Sequence, residues 1–147
     1  MKIPLPNRSP SLTQALSERP VNARRAVVLF VATILLFDAF SLQKYQLDSI
    51  PITQLCANIF VFSLFLFLPW RIWLAGKYTR LFSIFMLINW TAWDVYPLFF
   101  GIYPSSPADV LVTYFVAVPI QLATLYFLCS PTTTAWFTRV KEARAAA

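Results

Sequence analysis

The stretch that decides the fold is AVVLFVATILLFDAFSLQKY, residues 26–45, which is apolar over most of its length. A membrane-spanning helix needs about 20 mostly apolar residues, because each residue rises about 1.5 Å across a hydrocarbon core of about 30 Å. The stretch has that length and carries one acidic side chain, Asp38. The basic pair Arg24 and Arg25 precedes it, and together these features predict an uncleaved signal-anchor helix.

Three later stretches have the same length and character. Pro51 precedes the first of them, and the sequence PSSP at 104–107 precedes the last, so that both places favour turns. No run alternates polar and apolar residues as a strand of a membrane β-barrel would. The sequence therefore predicts an all-α protein, a four-helix transmembrane bundle with spans at about 26–45, 52–70, 81–101 and 108–129.

The composition favours lipid as the surrounding solvent. Hydrophobic residues make up 59% of the chain and charged residues 12%, against about 45–50% and about 25% in soluble domains. The net charge of +6 lies in short clusters between the apolar stretches. A nucleic-acid-binding protein would gather such charge on one polar face. We therefore expect the lipid bilayer as a partner and no nucleic acid.

The basic residues also predict an orientation. Lys and Arg in short loops mark the cytoplasmic side of a membrane protein. If the chain crosses four times, Lys44 is the one residue among 12 lysines and arginines that falls on the far side. Both termini are then cytoplasmic. The compact size and the charge bias indicate a multi-pass protein of a bacterial cytoplasmic, or inner, membrane.

The two ends of the chain have different expected structures. Residues 1–25 contain prolines at four positions and predict a mostly disordered cytoplasmic tail, in which Ser11 to Gln14 could begin one short helix through a capping box. In residues 130–147, apolar side chains such as Trp136 and Val140 alternate with basic ones. This pattern predicts a short amphipathic helix that lies along the inner leaflet.

Polar side chains within the spans are the candidate functional residues, since a charge at mid-membrane costs about 2.5–3.5 kcal/mol. Counting from the centre of each span places one or two polar residues of every span in a layer just outside the midplane. This predicted polar layer consists of Asp38, Asn58, Asp94, Thr113 and Tyr114.

Two carboxylates in such a layer without a cation would not both ionise, so at least one should hold a proton and donate it, with Asn58 as a candidate acceptor. The layer could be a proton or cation site, or a clasp that fixes the register of the helices. Gln121 and Thr124 share a helix face with Thr113, and small or polar faces usually point into a bundle. Asn89 points to another side of its helix, toward a neighbouring helix or a partner protein.

Signatures of enzymes are missing from the sequence. The chain contains no His, which is the commonest general base and metal ligand. It also lacks the nucleophile-elbow, zinc-protease and phosphate-loop motifs. Cys56 and Cys129 lie in different spans and are expected to be free, buried thiols. We therefore expect no catalytic residues, no cofactor, no metal and no enzymatic activity.

Two functions are compatible with these features. The first is a non-enzymatic interaction protein that works through helix–helix contacts, as an accessory subunit or as an immunity or exclusion factor. Its partner would be another membrane protein or a second copy of the chain. The alternative is a small oligomeric transporter or channel that uses the layer around Asp38 and Asp94.

Overall fold

The computed structural model describes residues 11–47, 50–101 and 107–147, which form helices and turns and no strand. The all-α prediction is therefore confirmed for these ranges. Residues 1–10 of the predicted tail and 104–106 of the predicted turn lie outside them. The helices are α1 (Leu12–Ser17), α2 (Val21–Gln46), α3 (Ile52–Phe65), α4 (Phe67–Trp73), α5 (Thr79–Phe99), α6 (Pro107–Val110), a π-helical segment (Leu111–Ala117), α7 (Val118–Cys129) and α8 (Pro131–Ala145).

Three helical stretches are long and apolar enough to cross a membrane: Val21–Gln46, Ile52–Trp73 and Pro107–Cys129. They correspond to the first, second and fourth predicted spans. The third, α5, has 21 residues, or about 31 Å at the usual helical rise, which is long enough to cross. Its many polar and aromatic side chains make it less apolar than the others, so that a crossing by α5 stays a prediction.

The long helices pack side by side as a bundle. Helix α2 packs against α7 on one side and against α3 and α4 on the other, and α5 packs against both α4 and α7. The apolar core between them contains Phe30, Ile34, Ile72, Leu87 and Leu128, all fully buried. The chain order thus runs around the bundle, with each long stretch next to the one that follows it.

Prolines explain two irregularities in these stretches. Pro69 has no N–H to donate to the carbonyl of Phe65, and α3 ends there before α4 begins. Pro119 likewise cannot donate to Phe115, and the N–H of Val118 bonds instead to the carbonyl of Thr113, five residues earlier. The second and fourth stretches therefore each change direction or pitch near a proline.

The end of the bundle that holds α1, the turn at Leu74–Tyr78 and α8 is called the basic end below. Helix α1 and the start of α2 correct the predicted disordered tail for residues 11–25, and they agree with the one short helix allowed there. The Ser11 Oγ accepts a hydrogen bond from the Gln14 N–H at 3.3 Å, which confirms the predicted helix start. The Gln14 side chain bonds to Glu18 at 3.2 Å and does not complete the capping box.

Helix α1 is stable in this position because it packs against α8. The Trp136 side chain is fully buried, and its Nε1 donates a hydrogen bond of 2.8 Å to the carbonyl of Ala15. Val140 is buried in the same cluster. The predicted C-terminal helix is thus present, and these apolar side chains pack on protein. Its position along the inner leaflet stays a prediction.

Arg19, between α1 and α2, joins the parts of the basic end. Its guanidinium carbon lies 3.5 Å from the centre of the Trp73 ring and 5.6 Å from that of Trp136. Its Nη2 donates a 2.7 Å hydrogen bond to the Trp73 carbonyl. Burial, together with the positive charge of Arg24, lowers the pKa of Arg19. The ring contacts and the carbonyl bond offset the cost of that burial.

Candidate functional site

A cavity of about 430 Å³ opens at the other end of the bundle, called the cavity end below. It forms where the second stretch leaves α5: α4 packs on both α2 and α5, whereas α3 packs mainly on α2. The space between α3 and α5 is left open, and its volume lies in the range of small-ligand sites. Its polar lining residues are Ser41, Lys44, Gln54, Asn58, Asp94 and Thr113, and its apolar ones are Phe37, Phe40, Ile50, Phe62, Trp90 and Trp93.

Trp90 closes the inner side of the cavity. Its ring makes edge-to-face contacts with Phe30, Phe37, Phe62 and Phe65, at centroid distances from 4.9 to 6.4 Å. These four phenylalanines belong to α2 and α3, so that a single side chain of α5 joins both helices. Edge-to-face pairs add stability beyond the area they bury. The cavity therefore has a fixed aromatic wall on the side of the core.

Asp94 takes part in a series of linked side-chain hydrogen bonds inside the bundle. The Gln121 Nε2 donates to Asp94 Oδ2 at 2.8 Å, and the Thr91 hydroxyl donates to Gln121 Oε1 at 2.9 Å. Gln121 is fully buried, and a buried amide needs such partners. The predicted inward face of the fourth stretch is confirmed at Gln121 and Thr124, both 0% exposed. Which partner Gln121 takes was not visible in the sequence.

Asn58 has a different partner from the one expected. Its Nδ2 donates to the Ser41 Oγ at 3.3 Å, whereas the sequence suggested a bond with a carboxyl group. The reason is the order in which the helices pack. Helix α3 packs on α2, which brings Asn58 to Ser41, whereas the cavity lies between α3 and Asp94. Asn58 and Asp94 thus share the cavity, but each is bonded to its own neighbouring helix.

The predicted polar layer is divided in two by the structure. Asn58, Asp94 and Thr113 line the cavity, whereas Asp38 and Tyr114 do not. The Asp38 Oδ1 and the Tyr114 hydroxyl are each buried without a hydrogen-bond partner among the described residues. Buried polar atoms of this kind are rare, because they lose their hydration without compensation. The structure thus brings Asn58, Asp94 and Thr113 to one cavity and leaves Asp38 and Tyr114 outside its lining, while a common depth of the five residues stays a prediction.

Lys44 lies among the cavity-lining residues and was not part of the predicted layer. Its Nζ lies 3.5 Å from Asp109 Oδ2 and 4.6 Å from the centre of the Phe40 ring. The sequence held a signal for it, since Phe37, Ser41 and Lys44 follow the helical spacing of four and three residues. The cavity therefore combines one carboxylate, one ammonium group and aromatic walls.

Metal and thiol chemistry find no support at this site. No group of three or more His, Cys, Asp or Glu side chains that could hold a metal ion occurs in the part of the chain that the structure describes. Cys56 and Cys129 are free thiols, and both are exposed at the surface of the chain, which corrects the expectation that they are buried. The lining of the cavity is thus polar and aromatic.

One exposed side of α5 has its own pattern, and it borders the cavity at Trp93. Exposed side chains follow one another at spacings of three and four residues along the whole helix, and this row is called the α5 stripe. It consists of Phe82, Phe85, Asn89, Trp93, Tyr96 and Phe100. The rings of Trp93, Tyr96 and Phe100 stack in sequence, at 6.5 and 4.3 Å. Asn89, at the middle, donates to the carbonyl of Phe85 in its own helix at 2.8 Å.

Comparison with known proteins finds no relative of this chain: no protein-family model matches it, and no curated protein or solved structure is significantly similar. Its function must therefore be argued from the cavity, the α5 stripe and the basic end themselves.

Proposed function

We propose that the chain is a four-span protein of a bacterial cytoplasmic membrane, with both ends inside, that acts without enzymatic chemistry by binding another membrane protein. The single observation that supports this is the α5 stripe with Asn89 exposed at its centre. The chain would serve as an accessory subunit, or as an immunity or exclusion factor that blocks its partner.

Exposed phenylalanines alone would not indicate a protein partner, because lipid solvates them well. An exposed amide is different, since hydrocarbon offers it no hydrogen-bond partner. Asn89 has two N–H donors and a carbonyl oxygen, and the structure shows one bond for it, to Phe85. Asn side chains bond across helices in membranes. A partner helix that packs along the α5 stripe would supply the missing partner.

The spacing of the α5 stripe fits such a contact. The steps along the stripe are 3, 4, 4, 3 and 4 residues, which keep its side chains on one side of the helix, where a second helix can pack. Large aromatic side chains are also enriched in the contact surfaces of proteins. Another side of α5 packs on α4 and α7, whereas the α5 stripe is exposed. One face of the helix therefore stays available to a partner over its full length.

The four-span arrangement is part of the same proposal. Helix α5 lies between α4 and α7 in the bundle and is long enough to cross. Helix α5 is less apolar because several of its residues belong to the α5 stripe. Two others, Thr91 and Asp94, form the hydrogen bonds with Gln121. A crossing by α5 also places the basic residues of the Leu74–Tyr78 turn and of α8 on one side, as the distribution of Lys and Arg predicts.

Site-specific photocrosslinking from the α5 stripe tests this function. A photoreactive amino acid at Phe85 should crosslink the chain to one defined partner or to a second copy in native membranes, and Asn89→Leu should reduce the yield about tenfold. The matched control is the same amino acid at Phe60, which is similarly exposed on α3, 65% against 60%. Equal crosslinking from both positions, or a strictly solitary chain, would contradict the proposal.

The cavity favours a second candidate function, a small oligomeric transporter or channel. Asp94 lines a space that also holds Lys44 and Asn58, so a solute could meet a carboxylate there. Asp38 lies outside this space, so that the carboxylate pair proposed from the sequence would not act together. Proton-coupled flux in liposomes that disappears with Asp94→Asn would favour transport. A flux unchanged by Asp38→Asn and by Asp94→Asn would count against it.

A further inference from the structure

The basic end contains a second pocket, of about 550 Å³, between the Ala75–Leu81 segment and α8. Four of its lining residues are cationic and none is acidic: Lys77, Arg80, Lys141 and Arg144. Glu142 is the acidic residue of α8, and it lies outside the lining. The pocket therefore concentrates positive charge in a concave space. This is more specific than a general excess of Lys and Arg in the loops.

Two of the four cations are fixed by the fold. The Arg80 Nε donates to the carbonyl of Leu128 at 2.9 Å, at the last turn of α7. Arg144 donates through both terminal nitrogens, to the carbonyls of Leu74 and Ala75. These bonds tie α8 and α7 to the turn after α4, and they hold both guanidinium groups at the edge of the pocket.

The turn itself leaves little room for change. Ala75 has a positive φ of 48°, and the N–H of Gly76 bonds to the carbonyl of Arg71 at 2.8 Å. A Cβ on Gly76 would lie 2.3 Å from the Thr79 Oγ1 and 3.3 Å from the Arg71 carbonyl. Glycine is therefore required at this position, and the floor of the pocket has a defined shape.

The two lysines are available to a ligand. Lys77 and Lys141 are exposed, and neither forms an ion pair among the described residues. Outside the pocket, Arg139 pairs with Glu18 at 3.3 Å and Lys44 with Asp109 at 3.5 Å, whereas Arg24, Arg25 and Arg71 form no ion pair among the described residues. What distinguishes the pocket is that its two exposed lysines lie beside two arginines that the fold holds in place.

The pocket also has an apolar side. Leu81 and Phe137 belong to its lining, and Leu81 is 67% exposed at the beginning of α5. A ligand whose anionic group sits among the four cations can therefore lay an apolar chain over Leu81 and along α5. An inorganic anion would use the charges and leave this side empty.

We infer that the pocket at the basic end binds the phosphodiester headgroup of an anionic phospholipid of the inner leaflet. The headgroup phosphate accepts charge-assisted hydrogen bonds from Lys77 and Lys141, with Arg80 and Arg144 behind them. Basic pockets between helices on the cytoplasmic side suit such headgroups. This inference needs the basic end at a bilayer surface, and it is independent of what binds the α5 stripe.

Native mass spectrometry of the full chain in mild detergent, titrated with phosphatidylglycerol, tests the inference. The wild type should retain one phosphatidylglycerol in preference to phosphatidylcholine of the same chain length. Lys77→Gln with Lys141→Gln should weaken this binding about tenfold or more, because each lysine contributes to the attraction. The matched control is Arg24→Gln with Arg25→Gln, which removes the same charge from the exposed start of α2 and should change binding less than twofold.

Every other result contradicts the inference. Equal losses in the two double variants would show general attraction by the basic end and no pocket. Equal retention of phosphatidylcholine and phosphatidylglycerol would remove the role of the anionic headgroup. Displacement of the lipid by millimolar inorganic phosphate would identify a site for free phosphate. Far-ultraviolet circular dichroism of each variant checks that the helices are intact, and the lysine variant has no fold-stabilising ion pair to lose.

Discussion

The two ends of the bundle use polar residues in opposite ways. At the basic end, Arg19, Arg80 and Arg144 bond to backbone carbonyls and join helices that are distant in the chain. At the cavity end, Asp94 has one amide partner, while the Asp38 Oδ1 has none among the described residues. The difference teaches that bonds from arginine side chains to backbone carbonyls join distant helices at the basic end, where the Arg19 Nε is nevertheless buried without a partner among the described residues. The other end keeps an open space that a tighter packing would have filled.

The comparison also separates structural aromatics from exposed ones. Trp136 of α8 is fully buried against α1, and Trp90 of α5 is packed at the centre of the bundle. Trp93, by contrast, is 79% exposed on α5. A tryptophan that is neither buried nor hydrogen-bonded contributes little to folding, so that the exposed one is free to serve contacts with other molecules.

The largest effect is expected from Trp136→Ala. The variant removes a buried indole and its bond to Ala15, and it should lower the free energy of unfolding by about 3–5 kcal/mol. The matched Trp93→Ala should cost about 0.5 kcal/mol or less, since that ring is exposed. Titration of the detergent-solubilised chain with sodium dodecyl sulfate, followed by circular dichroism, measures both. Similar losses from both would remove the distinction between the two ends.

A smaller loss of stability is expected when the hydrogen bonds of Gln121 at the cavity end are removed. Gln121→Leu deprives Asp94 and Thr91 of their shared amide, and it should destabilise the chain by about 1–3 kcal/mol. A double-mutant cycle with Asp94→Ala, which removes the accepting oxygen, should give a coupling of about 0.6–1.7 kcal/mol, as for other bonds between membrane helices.

The control for this cycle is Gln54→Leu, which changes an exposed glutamine at the rim of the same cavity. Its expected effect on unfolding is within about 0.5 kcal/mol. If Gln121 and Asp94 prove additive, the 2.8 Å bond between them carries no energy, and the cavity end is held together by apolar packing alone.

The smallest effect is expected from Arg19→Lys, which keeps the charge and removes the planar group. Lysine cannot stack between Trp73 and Trp136 as a guanidinium does, so the variant should lose about 1 kcal/mol of stability. The indole rings should also change their near-ultraviolet circular dichroism. An unchanged spectrum together with unchanged stability would mean that the stacking contributes nothing to the basic end.

The local features of the fold were predictable because they depend on neighbouring residues. Apolar length predicted the stretches around α2, α3 to α4, and α7, and the helical spacing placed Gln121 in the interior. Ser11 predicted the start of α1 by the chemistry of its cap. The third stretch was harder, because polar residues such as Asn89 and Asp94 lower its apolarity without shortening its helix.

Long-range contacts could not be predicted from these patterns. The bond between Trp136 and Ala15 joins residues 121 positions apart, and the packing of α8 on α1 explains why residues 12–17 form a helix. The division of the predicted polar layer has the same origin. Depth along a helix can be counted from the sequence, whereas the neighbour that each side chain faces depends on the order of helices around the bundle.

The most direct test of the account is whether α5 crosses the membrane. Single cysteines at Lys77→Cys, Pro107→Cys and Ala147→Cys, in a background with Cys56→Ser and Cys129→Ser, would be labelled in intact cells with a membrane-impermeant maleimide. The account predicts that only the cysteine at position 107 reacts in intact cells. The cysteines at positions 77 and 147 should react only after the cells are permeabilised. If positions 77 and 107 react alike, and 147 differs from them, α5 does not cross and the four-span account is wrong.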